Sequence, residues 1–215
     1  MRLSKKSVVL GVLLALLLLG GGVAWRAGFH NRGLNRDFDP ARLAASETRM
    51  WQAYYTRNHT DLAMEMAALL REQMGVSLWT AREIIEPMAR GAMIFAGDRE
   101  GKRAAEVLSE LETAYARLGE AAGEDWDPQA AARAELAWWV ARRTPGQDSP
   151  EQVGTLIANL YALLYGGTNA EIQQAGILRA QAAALRDDGG PNADWPAVER
   201  LLNESYAALR RGVGR

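Results

Sequence analysis

The chain has 215 residues, with 25 basic and 26 acidic side chains, two histidines and no cysteine. Thiol chemistry and disulfides are therefore excluded. Residues beyond position 26 are mildly acidic overall, so we expect no nucleic-acid partner, which would require a basic surface.

Motifs for common chemistries are also missing. The sequence contains no HExxH, no Walker loop and no glycine-rich dinucleotide motif after a strand. A carboxylate-bridged di-iron bundle needs Glu-x-x-His pairs, and Thr56 stands three residues before His59. We therefore predict no metal site, no cofactor and no catalytic residue.

The first predicted element is an apolar helix near the N-terminus. Every residue in the range 8–24 is apolar, and Arg2, Lys5 and Lys6 precede the run. At about 1.5 Å per residue, the range 7–25 forms a helix of about 30 Å, the thickness of one hydrocarbon core. The sequence thus predicts a single-pass membrane anchor over residues 1–26. We expect Val8, Leu13, Leu17 and Trp25 to be among the residues of this anchor that contact the membrane.

A cleaved secretory signal is the alternative to an anchor, because the basic start, the leucine-rich run and Gly20 to Gly22 fit that pattern too. The length of the apolar run favours the anchor. Basic residues flank both sides, with Arg26, Arg32 and Arg36 on the far side. The N-terminal amine favours an inside N-terminus. We expect a bacterial inner-membrane protein with most of its mass on the periplasmic side.

After the anchor we predict a polar juxtamembrane linker over residues 27–38 and an all-α extramembrane domain over residues 39–215. No stretch shows the period-two alternation of strands. Loop lengths between apolar stripes are those of helix bundles. Segments do not align at a fixed period, so an irregular bundle or array is favoured over a helical-repeat solenoid. Seven helices are predicted, over residues 40–74, 78–97, 98–123, 128–144, 150–165, 168–188 and 195–212.

Start signals define several of these helices. An aromatic-Asp-Pro triplet occurs at 38–40 and again at 126–128, which places an N-cap Asp before a proline in the first turn. Thr168 and Glu171 have capping-box spacing. The first long helix is open to interruption at 58–60, where side chains compete for the backbone.

Two aromatic clusters are candidate protein-interaction residues, because tryptophan and tyrosine are favoured at interfaces. One cluster comprises Trp51, Tyr54 and Tyr55, and the other Trp138 and Trp139. Adjacent tryptophans point about 100° apart on a helix, so only one of the pair is expected deep in the core. Core packing is the structural alternative for all five residues.

Methionines are concentrated in the first two helices of the predicted domain. We expect most of them in the core, and the alternative is a methionine-rich groove that binds a hydrophobic partner. These methionines are Met50, Met64, Met66, Met74, Met88 and Met93.

Together these features favour a non-catalytic accessory or structural subunit that is anchored in the lipid bilayer and docks on proteins of a larger membrane complex. Such a complex could be respiratory, photosynthetic, transport or envelope in type. The alternative is a membrane-tethered domain that binds a lipid or another hydrophobic ligand between its helices. A third hypothesis is an enzyme that uses Glu83 and Glu86, which stand beside Pro87.

Overall fold

A computed structural model describes residues 30–214 of the chain. The predicted anchor, with Val8, Leu13, Leu17 and Trp25, and the first part of the linker lie outside the described residues. Within residues 30–214, no helix combines the length and the apolar composition that crossing a bilayer requires.

The described part of the chain is all-α, as predicted, with eight α-helices and one short 3-10 turn at Gly190–Asn192. The helices are α1 Pro40–Tyr55, α2 His59–Gln73, α3 Leu78–Gly97, α4 Ala104–Ala122, α5 Pro128–Arg143, α6 Pro150–Tyr165, α7 Ala170–Gly189 and α8 Trp195–Val213.

The eighth helix arises because the first predicted helix is broken. The backbone of Arg57 turns into the left-handed region at φ 56°. The Asn58 side chain then accepts a hydrogen bond from the Asp61 backbone N–H and caps α2. This is the position at which the sequence left an interruption open, and the local side-chain competition ends the first helix.

Both aromatic-Asp-Pro triplets begin helices as predicted. The carboxylate of Asp39 accepts from the first free amides of α1. Asp127 likewise accepts from the Gln129 N–H of α5. These bonds satisfy backbone donors that have no partner within the helix.

Two predicted starts are wrong. Helix α7 is capped by Asn169, which accepts from the Ile172 N–H, and so the capping box at Thr168 does not form. Helix α4 begins at Ala104 rather than Asp98. The Asp98 carboxylate instead accepts from backbone amides of the loop that precedes α4.

The helices are arranged as a closed ring. Each helix packs against the next one along the chain, and α8 returns to pack against α1. Such closure distinguishes the fold from an open solenoid, whose first and last repeats do not meet. The space enclosed by the ring is therefore bordered by every helix.

A pair of glycines lets α6 and α7 approach closely. A Cβ added at Gly176 would lie 2.2 Å from the carbonyl oxygen of Gly154, and one added at Gly154 would lie 2.5 Å from the Cα of Ile177. The two backbones thus touch where neither helix carries a side chain.

The described part of the predicted linker is bound to the helical body. The Arg32 N–H donates to the Gly75 carbonyl over 2.7 Å, and the Leu34 N–H donates to the Ala122 carbonyl over 3.2 Å. These carbonyls lie at the ends of α2 and α4. The segment over residues 31–38 is therefore part of the folded domain rather than a free spacer.

Candidate functional site

The helices of the ring surround a cavity of about 240 Å³ that is partly open to solvent, here called the central cavity, and all eight described helices contribute to its lining. Most of the lining is apolar. Representative apolar side chains are Leu69, Ile84, Leu160 and Leu164.

Methionines contribute to the wall of the central cavity on the side of α1, α2 and α3. Met50, Met66, Met74 and Met88 line it, and of these Met74 is buried at 6% exposure. Met64 and Met93 are 65% and 66% exposed and lie elsewhere. Flexible thioether side chains adapt to irregular apolar shapes, so this wall suits a mobile or variable apolar molecule.

One group of polar side chains in the cavity is centred on Glu47, which is only 1% exposed. Arg179 Nη2 donates to Glu47 Oε1 over 2.6 Å, and the Tyr206 hydroxyl donates to Glu47 Oε2 over 2.6 Å. The three residues belong to α1, α7 and α8. Both carboxylate oxygens are thus hydrogen-bonded, as a buried charge requires.

A second group is centred on Glu135, which comes from α5 and is also buried. Its Oε2 accepts from the Tyr115 hydroxyl over 2.9 Å, and its Oε1 accepts from Trp139 Nε1 over 2.8 Å. Glu135 and Tyr115 both line the central cavity. The apolar cavity therefore has two carboxylates in its wall, each satisfied by neighbouring donors.

Tyr161 is the lining residue whose hydroxyl is free. Its side chain lies in the cavity wall and only 8% of the residue is exposed. No group within residues 30–214 forms a hydrogen bond with this hydroxyl. Because Tyr161 lines an otherwise largely apolar cavity, its hydroxyl marks a position where the cavity offers an unused hydrogen bond.

Burial raises the pKa of Tyr161 to about 12, and the nearby Arg179 only partly offsets this rise. Burial, and next the neighbouring carboxylates, also raise the pKa of Tyr206 and of Tyr115 well above the usual value. All three tyrosines therefore stay protonated in the folded protein at neutral pH.

A pH dependence of stability follows for Tyr161. Its folded-state pKa lies above the unfolded value, so its contribution is fully present below about pH 10 and is lost as the pH rises to about 12. We expect Tyr161 alone to account for a loss of about 2–3 kcal/mol over this interval. Urea unfolding of the wild type and Tyr161→Phe at pH 8 to 12 measures this loss. Equal alkaline losses in the two proteins would contradict it.

The five predicted interface residues differ in exposure. Trp51 and Trp139 are buried at 7% and 9% exposure, whereas Tyr54 is 65% exposed. Tyr55 and Trp138 are half-buried. Of the adjacent tryptophans, only Trp139 is buried deeply, which agrees with the expectation from helix geometry.

Two arginines that share the carboxylate of Asp187 lie against one ring of each aromatic cluster. The Arg186 guanidinium lies 4.2 Å from the ring centre of Trp51, and that of Arg142 lies 5.8 Å from the ring centre of Trp138. Both arginines donate to the carboxylate of Asp187. The structure thus brings the two clusters to one side of the molecule, at the C-terminal ends of α1, α5 and α7.

The acids considered for catalysis do not line the central cavity. Glu83 accepts from Trp79 Nε1 over 3.1 Å, and Glu86 pairs with Arg90 over 2.7 Å. Both glutamates are exposed on α3. Pro87 beside them is buried within the same helix.

The polar residues of the cavity were not singled out in the sequence, although a signal for two of them exists. Glu47 continues the apolar stripe of Leu43, Met50 and Trp51 at helical spacing. Glu135 stands four residues before Trp139 on the buried face of α5. An acidic residue on an apolar stripe indicates a buried, partnered charge.

The arrangement can hold an apolar molecule with one polar end, because apolar walls meet a small set of hydrogen-bonding groups. Within residues 30–214, no group of three or more histidine, aspartate or glutamate side chains is placed to hold a metal ion. No protein-family model, curated protein or solved structure matches this chain.

Proposed function

We propose that this protein is a membrane-tethered helical domain that binds a small hydrophobic ligand in the central cavity. The observation that carries the proposal is an apolar cavity, lined by all eight described helices, in whose wall the Tyr161 hydroxyl has no hydrogen-bond partner among residues 30–214. A domain that needed only a stable core would gain by filling this space, since cavities lower stability.

The size of the cavity limits the ligand. An engineered apolar cavity of about 150 Å³ holds benzene. By that measure the central cavity, at about 240 Å³, accommodates on the order of ten non-hydrogen atoms. This corresponds to a short alkyl chain, a substituted ring or the end of a longer lipid.

The membrane tether in this proposal is the predicted anchor over residues 1–26. Its support is the uninterrupted apolar run and its basic start. The proposed location remains a bacterial inner membrane with residues 39–215 on the periplasmic side. A bilayer beside the domain would be a natural source of apolar ligands.

Photolabelling tests ligand binding directly. The full-length protein in lipid nanodiscs is irradiated with a ten-carbon alkane that carries a diazirine, and labelled peptides are mapped by mass spectrometry. We expect labels on peptides of α2, α3 and α6 that line the central cavity.

A pair of leucine substitutions on α6 serves as the control. Leu160→Phe places extra volume in the cavity and should reduce labelling of these peptides at least about tenfold, with little loss of stability. Leu163 does not line the cavity and is 39% exposed, so Leu163→Phe should label like the wild type. Equal labelling of the two variants, or no label on these peptides, would refute the proposal.

A second candidate function is the accessory subunit expected from the sequence, docked on a larger membrane complex. The observation in its favour is the joining of the two aromatic clusters on one side, with Tyr54 at 65% exposure. Extraction in mild detergent followed by mass spectrometry of comigrating proteins tests it. Partners in a fixed ratio that dissociate on Tyr54→Glu would support docking, and a lone protein would exclude it.

A further inference from the structure

We infer that the ligand of the central cavity carries an uncharged hydrogen-bond acceptor, such as a carbonyl oxygen, that binds between the Tyr161 hydroxyl and the guanidinium of Arg179. This inference rests on the proposed function and specifies the ligand class. It excludes both a plain hydrocarbon and a free fatty acid as the preferred ligand.

Two side chains in the cavity wall have hydrogen-bond donors that no described protein group uses. Arg179 has five N–H donors, and within the described residues its hydrogen bonding is directed to one oxygen of Glu47. The Tyr161 hydroxyl has no partner among the described residues, and both side chains line the central cavity. Unused donors in an apolar cavity are best satisfied by an acceptor on the ligand.

The charges of the cavity wall disfavour an anionic ligand head. Among the described residues that line the cavity, the formally charged ones are Glu47, Glu135 and Arg179. Two carboxylates thus face one guanidinium, which Glu47 already pairs at 2.6 Å. An anionic ligand head would add a third negative charge at low dielectric, where like charges repel strongly. A neutral acceptor avoids this cost.

A cationic ligand head is also disfavoured. The excess negative charge would attract an amine, but the free groups are an arginine and a tyrosine hydroxyl. Each carboxylate oxygen already accepts a hydrogen bond from a protein donor. An ammonium group bound between Tyr161 and Arg179 would lie against a guanidinium of like charge, so it fits the site poorly.

The test is competition against the alkane photolabel in full-length protein in nanodiscs. The competitors are decane, 2-nonanone and octanoate, each quantified as its mole fraction in the nanodisc lipid. We expect 2-nonanone to displace the label about tenfold more effectively than decane, since it adds hydrogen bonds to unused donors. Octanoate should be at least about tenfold weaker than 2-nonanone.

Two tyrosine variants test whether the Tyr161 hydroxyl causes the advantage of 2-nonanone over decane. Tyr161→Phe should reduce the advantage of 2-nonanone over decane to about threefold or less, while decane competes as in the wild type. Tyr165 is the control, because its hydroxyl is buried without a hydrogen-bond partner among the described residues and the residue does not line the cavity. Tyr165→Phe should leave all three competitors unchanged.

The outcomes separate this inference from the proposed function. If the wild type takes no alkane label in the cavity, the proposed function fails. If the label binds but 2-nonanone competes no better than decane, or octanoate competes as well as 2-nonanone, only the inference about the polar head is overturned. An advantage of 2-nonanone that persists in Tyr161→Phe would also overturn it.

Discussion

Replacing Glu47 with leucine is expected to lower the free energy of unfolding by about 3–5 kcal/mol. The substitution removes the acceptor for both Arg179 and the Tyr206 hydroxyl, which donate to it over 2.6 Å each. Arg179 would keep its charge, because a guanidinium does not lose its proton in proteins. An unpaired cation would then remain in a cavity wall where its side chain is only 21% exposed.

Equilibrium urea unfolding at pH 7 measures this loss. The double variant Glu47→Leu with Arg179→Met should recover more than half of it, because removing both charges abolishes the desolvation cost that the single variant leaves uncompensated. A double variant as unstable as Glu47→Leu alone would show that packing, rather than the unpaired charge, causes the loss.

The control for Glu47 is a more exposed ion pair, which joins α1 to α2. Arg49 Nε lies 2.6 Å from Glu65 Oε1, and the side chains of Arg49 and Glu65 are 54% and 19% exposed. Glu65→Leu should cost about 1 kcal/mol, since the Arg49 guanidinium that it leaves unpaired remains accessible to water. If Glu47→Leu cost no more than Glu65→Leu, the buried network would not contribute to stability as proposed.

Gly176→Ala is expected to cost about 2–3 kcal/mol despite the better helix propensity of alanine. The new Cβ would lie 2.2 Å from the Gly154 carbonyl oxygen and 2.8 Å from the Ala158 N. Both are backbone atoms that cannot rotate away, so α6 and α7 must separate. Separation would disturb Arg179 on α7 and Tyr161 on α6, the two residues with unused donors in the cavity.

Thermal unfolding and photolabelling together measure the effect of Gly176→Ala. The matched substitution is Gly97→Ala at the end of α3, where an added Cβ meets no atom within 4 Å. That variant should be as stable as the wild type or up to about 1 kcal/mol more stable. A Gly176→Ala protein with wild-type stability would mean that the close approach of the two backbones is not required.

Local features of the fold were predictable from the sequence because they depend on neighbouring residues. Asp39 and Asp127 cap helices as their triplets predict. The sequence allows the break near Asn58 without requiring it, since the competing side-chain bonds are weak. Thr168 and Asn169 are both good caps, and the choice between them depends on where α7 packs.

The candidate site was predictable only in part. The concentration of methionines allowed a groove as the alternative to core packing, and four of the six line the cavity. Pairing of Glu47 with Arg179 joins residues 132 positions apart, which no local pattern contains. Closure of the ring by α8 on α1, and the contact of Gly154 with Gly176, likewise result from long-range packing that periodicity does not encode.

If residues 1–26 form the proposed anchor, the binding of residues 31–38 to the helical body would limit the distance between that body and the bilayer. Only residues 27–30 would then remain as a spacer, which spans at most about 15 Å. Ligand exchange would then occur within a thin layer above the lipid, where the effective concentration of apolar molecules leaving the membrane is high. Lengthening the spacer with a flexible insert would slow loading, because the effective concentration falls with spacer length, while affinity at equilibrium stayed the same.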